Sequence, residues 1–85
     1  MNIRAKIYVN LKQTVSDPQG LTISSGLKQL GFKNIQEVRA GKYFEINLEA
    51  ESTEAAEKSV DQMCTKLLSN PIIENYRFEI SESYG

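Results

Sequence analysis

Ile3, Ala5, Ile7, Val9 and Leu11 alternate with Arg4, Lys6, Tyr8, Asn10 and Lys12, a strict period of two over ten residues. Successive strand side chains point to opposite faces, so the stretch predicts a strand with one buried face and a central place in a sheet. A helix is expected next. In Ser16-Asp17-Pro18-Gln19-Gly20, Asp17 can accept from the free amides of a first turn and Pro18 suits the first helical position. Ile23, Leu27 and Leu30 share one face of that helix, and Gly31 supplies a left-handed stop with Phe32 placed to pack back on the last turn. Gly20 and Gly26 weaken its intrinsic propensity, so the helix should depend on what it docks against.

Ile35, Val38 and Ala40 suggest a short second strand, and Gly41 a hairpin over residues 38–45, since glycine reverses the chain at little steric cost. A third strand follows, with Phe44, Ile46, Leu48 and Ala50 alternating with Tyr43, Glu45, Asn47 and Glu49. Ser52 or Thr53 can cap a second helix with Glu54 and Glu57 in an acidic first turn. Its stripe is Ala56, Val60, Met63, Cys64, Leu67 and Leu68, and Asn70-Pro71 should stop it. Ile72 and Ile73 are expected to open a last strand through Ile80, with Ser81 to Gly85 a polar tail. The order strand, helix, strand, strand, helix, strand implies an α+β, ferredoxin-like βαββαβ domain over residues 1–85: four antiparallel strands with both helices on one face. Its first and third strands would be the central pair and its second and fourth the edges.

Charge adds a division that the net value of −1 conceals. Residues 1–42 hold seven Lys and Arg against two Asp and Glu, and residues 43–85 hold three against nine. With the first and third strands adjacent, Arg4, Lys6 and Lys12 would face Glu45 and Glu49, so the exposed sheet face should be balanced. The 85 residues are enough for one modest core, which makes self-association advantageous. No apolar run approaches the roughly 20 residues of a membrane span, and the lone Cys64 agrees with a reducing compartment; a cytoplasmic location is expected.

Candidate chemistry is sparse. There is no histidine, and one cysteine cannot build a zinc site. Gly41-Lys42-Tyr43 lacks the upstream glycine and the following Ser or Thr of a phosphate-binding loop. Glu45 and Glu49 beside lysines are better read as solvated strand charges than as an acid and base pair, and Cys64 as a small core side chain. Tyr8 and Tyr43 could stack bases on a sheet of this fold, but the neighbouring carboxylates and the net charge disfavour nucleic acid, so a subunit contact is the better use. The residues alone thus describe an interaction module without a self-contained active site.

Three segments together resemble the PurS family, the small subunit of phosphoribosylformylglycinamidine synthase. They are Asp17-Pro18-Gln19-Gly20, then Val38-Arg39-x-Gly41-Lys42-Tyr43-x-Glu45, then Cys64-x-Lys66-Leu67-Leu68-x-Asn70-Pro71-x-Ile73-Glu74-x-Tyr76-x-Phe78-Glu79-Ile80. The small Ala40 and the polar tail after Ile80 depart from the pattern. The resemblance implies a non-catalytic chain that forms homodimers or higher homo-oligomers and joins a glutaminase subunit to a large synthetase subunit. ATP and Mg would be used by the large partner, with no cofactor on this chain. Arg39, Lys42, Tyr43, Glu45, Glu74, Tyr76 and Arg77 are then the candidate subunit contacts, whereas Asp17, Pro18, Gly20, Gly41 and Pro71 are structural. A ligand-binding regulatory domain of the same fold is the alternative.

Overall fold

The computed structural model describes residues 1–83. In chain order it forms β1 (Asn2–Leu11), α1 (Pro18–Gln29), β2 (Gly41–Glu49), α2 (Thr53–Met63) with a wider π-helical turn over Cys64–Leu68, and β3 (Glu74–Glu82). The class is α+β. The three strands make one antiparallel sheet in the order β2-β1-β3. β1 is central, running in register from Asn2↔Glu49 to Asn10↔Gly41 on one side and from Ile3↔Glu82 to Leu11↔Glu74 on the other.

The alternation in β1 has the expected result. Ile3, Ala5, Ile7 and Val9 are at most 1% exposed, and Ala56, Val60 and Cys64 of the second helical segment are buried with them. Phe44, Ile46, Leu48, Leu68, Tyr76, Phe78 and Ile80 pack around this core while staying partly exposed. Burying each large aliphatic contributes about 1.5–3 kcal/mol, so β1 and α2 supply most of the packing energy. α2 is capped by Ser52, whose Oγ accepts from the Ala55 amide at 3.1 Å. It ends where the Ser69 amide and hydroxyl both donate to the Cys64 carbonyl, each at 2.9 Å.

Several expectations change. Residues 34–40 form no strand, so the sheet has three strands, not four, and β2 lies at an edge. Gly41 makes no hairpin: it is the first residue of β2, and among the described residues only Gly31 has a positive φ, 102°. Glycine is needed at 41 for a different reason, because a Cβ there would come 2.8 Å from the Val9 carbonyl oxygen. Ile72 and Ile73 precede β3 in a turn closed by the Asn70 carbonyl, leaving Ile72 82% exposed. The π turn adds a residue to the helical repeat and rotates Leu67 out of the apolar stripe, to 83% exposure. Of the expected polar tail, Ser81 and Glu82 belong to β3, and Tyr84 and Gly85 lie outside the described residues.

A further change concerns α1. Its ends are as the sequence implied: Asp17 caps it, Pro18 opens it, and the Gly31 and Phe32 amides close it on the Lys28 and Leu27 carbonyls at 3.1 Å. Yet α1 does not lie on the sheet. Leu21, Ile23 and Leu30 are 65%, 41% and 76% exposed, and Phe32 is exposed as well. The radius of gyration is 16.5 Å, against about 12 Å for a compact chain of this length, and the extents are 50 × 30 × 15 Å. α1 therefore projects from the body, and Phe44, Ile46 and Leu48 on the inner face of β2 stay partly exposed.

Candidate subunit interface

The base of α1 is held by a clamp built from two distant segments. Asp17, 5% exposed, accepts from the Gly20 amide at 2.9 Å through Oδ1 and from the Ala40 amide at 2.7 Å through Oδ2. Arg39 Nη2 donates to the Lys12 and Val15 carbonyls at 3.0 and 2.9 Å, binding the β1–α1 connection to the same segment. Gly20 is packed so closely that a Cβ would stand 2.2 Å from the Val38 carbonyl oxygen. The Gly20 and Ala40 amides, helped by the Arg39 charge, hold the Asp17 carboxyl below the usual carboxylate range in spite of its burial.

Three other contact candidates are also used within the chain. Lys42 Nζ lies 3.2 Å from Glu74 Oε2, so this pair ties β2 to β3 across the end of β1. Glu74 Oε1 also accepts from the Asn70 amide at 2.6 Å. That amide first, and then Lys42, lower the Glu74 pKa against the effect of burial. The Tyr76 hydroxyl donates to Asp61 Oδ1 at 2.6 Å, fastening α2 to β3, and this bond with burial pushes its pKa up to about 12. Tyr76 is thus an internal fastener and not an exposed anchor.

Tyr43, Glu45 and Arg77 do lie on the outer face, the one away from α2. Tyr43 and Arg77 flank Tyr8 in register, with the Arg77 guanidinium 4.0 Å from the Tyr8 ring centre and the two tyrosine rings 5.1 Å apart. The Tyr43 hydroxyl donates to Glu45 at 3.3 Å; burial first, then the Glu45 charge, raise its pKa. Further along, Arg4 Nε lies 3.4 Å from Glu45, and Lys6 stands between Glu45 and Glu79, so these two cations meet Glu45 as expected, whereas Lys12 lies beyond β1 and Glu49 stands opposite Asn2. Pro71 lies in the turn after the second helical segment. Cys64 is a buried thiol whose pKa is raised by burial and then by Asp61. Among the described residues no cluster of three His, Cys, Asp or Glu could hold a metal, and no helix is long and apolar enough to cross a membrane.

Sequence reasoning grouped Tyr76 with Tyr43, although Tyr76 keeps the parity of Phe78 and Ile80 and so belongs to the inner face. The spacing puts Ile23, Leu27 and Leu30 on one face of a helix expected to lie on the sheet, whereas in α1 Ile23 and Leu30 are exposed and Leu27 is half-buried. The two helix glycines were the available signal that α1 needs an external partner.

The fold and these surfaces define a small α+β protein with a projecting amphipathic helix and a sheet face only half covered. A profile of the PurS family, described as phosphoribosylformylglycinamidine (FGAM) synthase, matches residues 4–82. The chain belongs to that family. It is 48% identical over 80 residues to the phosphoribosylformylglycinamidine synthase subunit PurS of Synechocystis sp., covering 94% of this chain and 80% of that one. The Bacillus subtilis subunit PurS is 42% identical, with 93% of both chains covered. A chain in the structure of PurLQS from Thermotoga maritima superposes with a TM-score of 0.87 at 31% identity, over 95% of this chain and 99% of that one.

Proposed function

We propose that this chain, acting as one domain over residues 1–85, is the non-catalytic small subunit of a phosphoribosylformylglycinamidine synthase of de novo purine biosynthesis. The observation that carries the reading is the likeness along nearly the whole chain to PurS subunits, including one in a PurLQS structure. The subunit joins a glutaminase to a large synthetase, so that ammonia released from glutamine reaches formylglycinamide ribonucleotide and gives the amidine. Holding the two sites in register matters because ammonia is otherwise protonated or lost to solvent. ATP and Mg act at the large subunit, this chain binds no cofactor, and the complex is cytoplasmic.

The chain does this as a homodimer. α1 carries an apolar face on which Ile23 and Leu30 stay exposed, while Phe44, Ile46 and Leu48 are left partly open on the sheet. A helix α1 from a second copy laid on that face restores the ferredoxin-like arrangement of two helices on one side of the sheet, and buries both surfaces at once. The test is glutamine-dependent amidine formation by a matching synthetase and glutaminase, with and without this chain. Dependence on the chain supports the bridging role, provided that ammonia-dependent synthesis proceeds without it. Equal rates from glutamine in both mixtures would refute it.

A further inference from the structure

Tyr43, Tyr8 and Arg77 form one row across all three strands, on the face that α2 leaves free. We propose that this row is the docking point for a carboxylate-bearing segment of a partner chain in the synthase. The inference rests on the subunit reading above and adds the chemistry of the contact.

The row is ordered before any partner arrives. The Arg77 guanidinium stands over Tyr8, 4.0 Å from the ring centre, and the Tyr43 ring flanks Tyr8 on the other side at 5.1 Å. A stacked arginine on a stiff sheet loses little rotamer freedom on binding, and exposed tyrosine and arginine are the side chains that dominate interface energies. Tyr43 is 49% exposed and the Arg77 side chain 68%, so folding does not use up either surface.

The charge pattern selects the occupant. An open concavity of about 350 Å³ at this end of the sheet is lined by Tyr8, Tyr43, Arg77, Arg39 and Lys42 among others, and by no carboxylate. The nearest acids stand in the next row, Glu45 and Glu79 flanking Lys6; Tyr43 reaches Glu45 at 3.3 Å and Arg77 reaches Glu79 only at 3.5 Å. Lys42 is engaged by Glu74 and Arg39 by two backbone carbonyls. The Arg77 guanidinium, at the end of the row beside the Tyr8 and Tyr43 rings and held only by Glu79, is therefore the cation offered. That suits a single protein carboxylate with an apolar neighbour, whereas a phosphate chain or a nucleic acid needs several free cations.

The experiment measures binding of the full chain to the purified glutaminase and synthetase by calorimetry, for the wild type and for Arg77→Glu, Arg77→Lys and Tyr43→Ala. Sedimentation gives self-association in parallel. Affinity for one partner should fall about tenfold or more in Arg77→Glu and in Tyr43→Ala, with Arg77→Lys between, while the homodimer persists. Wild-type affinity in all three variants overturns the proposal while leaving the subunit reading intact. Loss of the homodimer would reassign the row to a contact between copies, and saturable quenching of tyrosine fluorescence by inorganic phosphate would reassign it to a free anion; either overturns it. A wild-type chain that binds neither protein refutes the subunit reading itself, and this surface with it.

Discussion

The Asp17 carboxylate accepts a 2.7 Å hydrogen bond from the Ala40 amide, 23 residues away in the chain. With Arg39 on the carbonyls of Lys12 and Val15, this bond makes the two most recognisable sequence motifs into one clamp at the root of α1. The clamp sets the direction in which the helix leaves the sheet. It also explains why residues 38–40 do not join the sheet, since Asp17 takes the Ala40 amide and the Val38 carbonyl is packed against Gly20.

Acid should loosen the clamp. Asp17 and Glu74 have folded-state pKa values below their ordinary values near about 4. For a depressed carboxyl, the stabilisation is present above the unfolded value and is lost as pH falls through the folded one. Thermal midpoints should therefore drop below pH about 4, and Asp17→Asn should flatten that dependence while lowering stability at neutral pH. A midpoint independent of pH in the acid range would contradict this.

Two glycines in one helix should respond oppositely to alanine. At Gly20 the new Cβ meets the Val38 carbonyl oxygen at 2.2 Å and Asp17 Oδ2 at 2.9 Å, and urea unfolding should show a loss of about 1–3 kcal/mol. At Gly26 nothing lies within 4 Å. There alanine should stabilise by about 0.5–1 kcal/mol through helix propensity.

Tyr76→Phe removes the bond to Asp61 and should cost about 1 kcal/mol in the same assay. In the wild type, the Tyr76 phenol should ionise near pH 12, detectable by tyrosinate absorbance. Because its folded pKa is raised, the associated stability is complete below the ordinary phenol value, about 10, and is lost as pH rises through the folded one.

Arg39→Ala should destabilise the isolated chain by about 2 kcal/mol, because two charge-assisted bonds to backbone carbonyls are lost. Lysine should rescue only part of this, having no planar fork to span both carbonyls. Unchanged stability with weakened partner binding would instead return Arg39 to the set of contact residues.

Ile23→Asp and Leu30→Asp change side chains already exposed in the protomer, so circular dichroism should stay the same. Sedimentation equilibrium should show self-association weakened by about tenfold or more if α1 docks on a second copy. Equal association constants would remove α1 from the dimer contact.

The sequence by itself determined the features that depend on neighbours along the chain. Ten residues of alternation specified β1, Asp17 and Ser52 specified helix starts, and Gly31 specified the α1 stop. The meeting of Arg4 and Lys6 with Glu45 was legible once β1 and the strand now labelled β2 were adjacent. Parity also separated Tyr43, which alternates with Phe44 and Ile46, from Tyr76, which shares the face of Phe78 and Ile80. Only the tertiary structure decided that residues 34–40 leave the sheet, that Arg39, Lys42, Glu74 and Tyr76 hold the chain together, and that the apolar stripe of α1 faces away from its own core. The physical reason is range. Periodicity and capping are set within a few residues, whereas the choice of surface for that stripe depends on contacts between Asp17 and Ala40, and between α1 and whatever covers it, which no local pattern encodes.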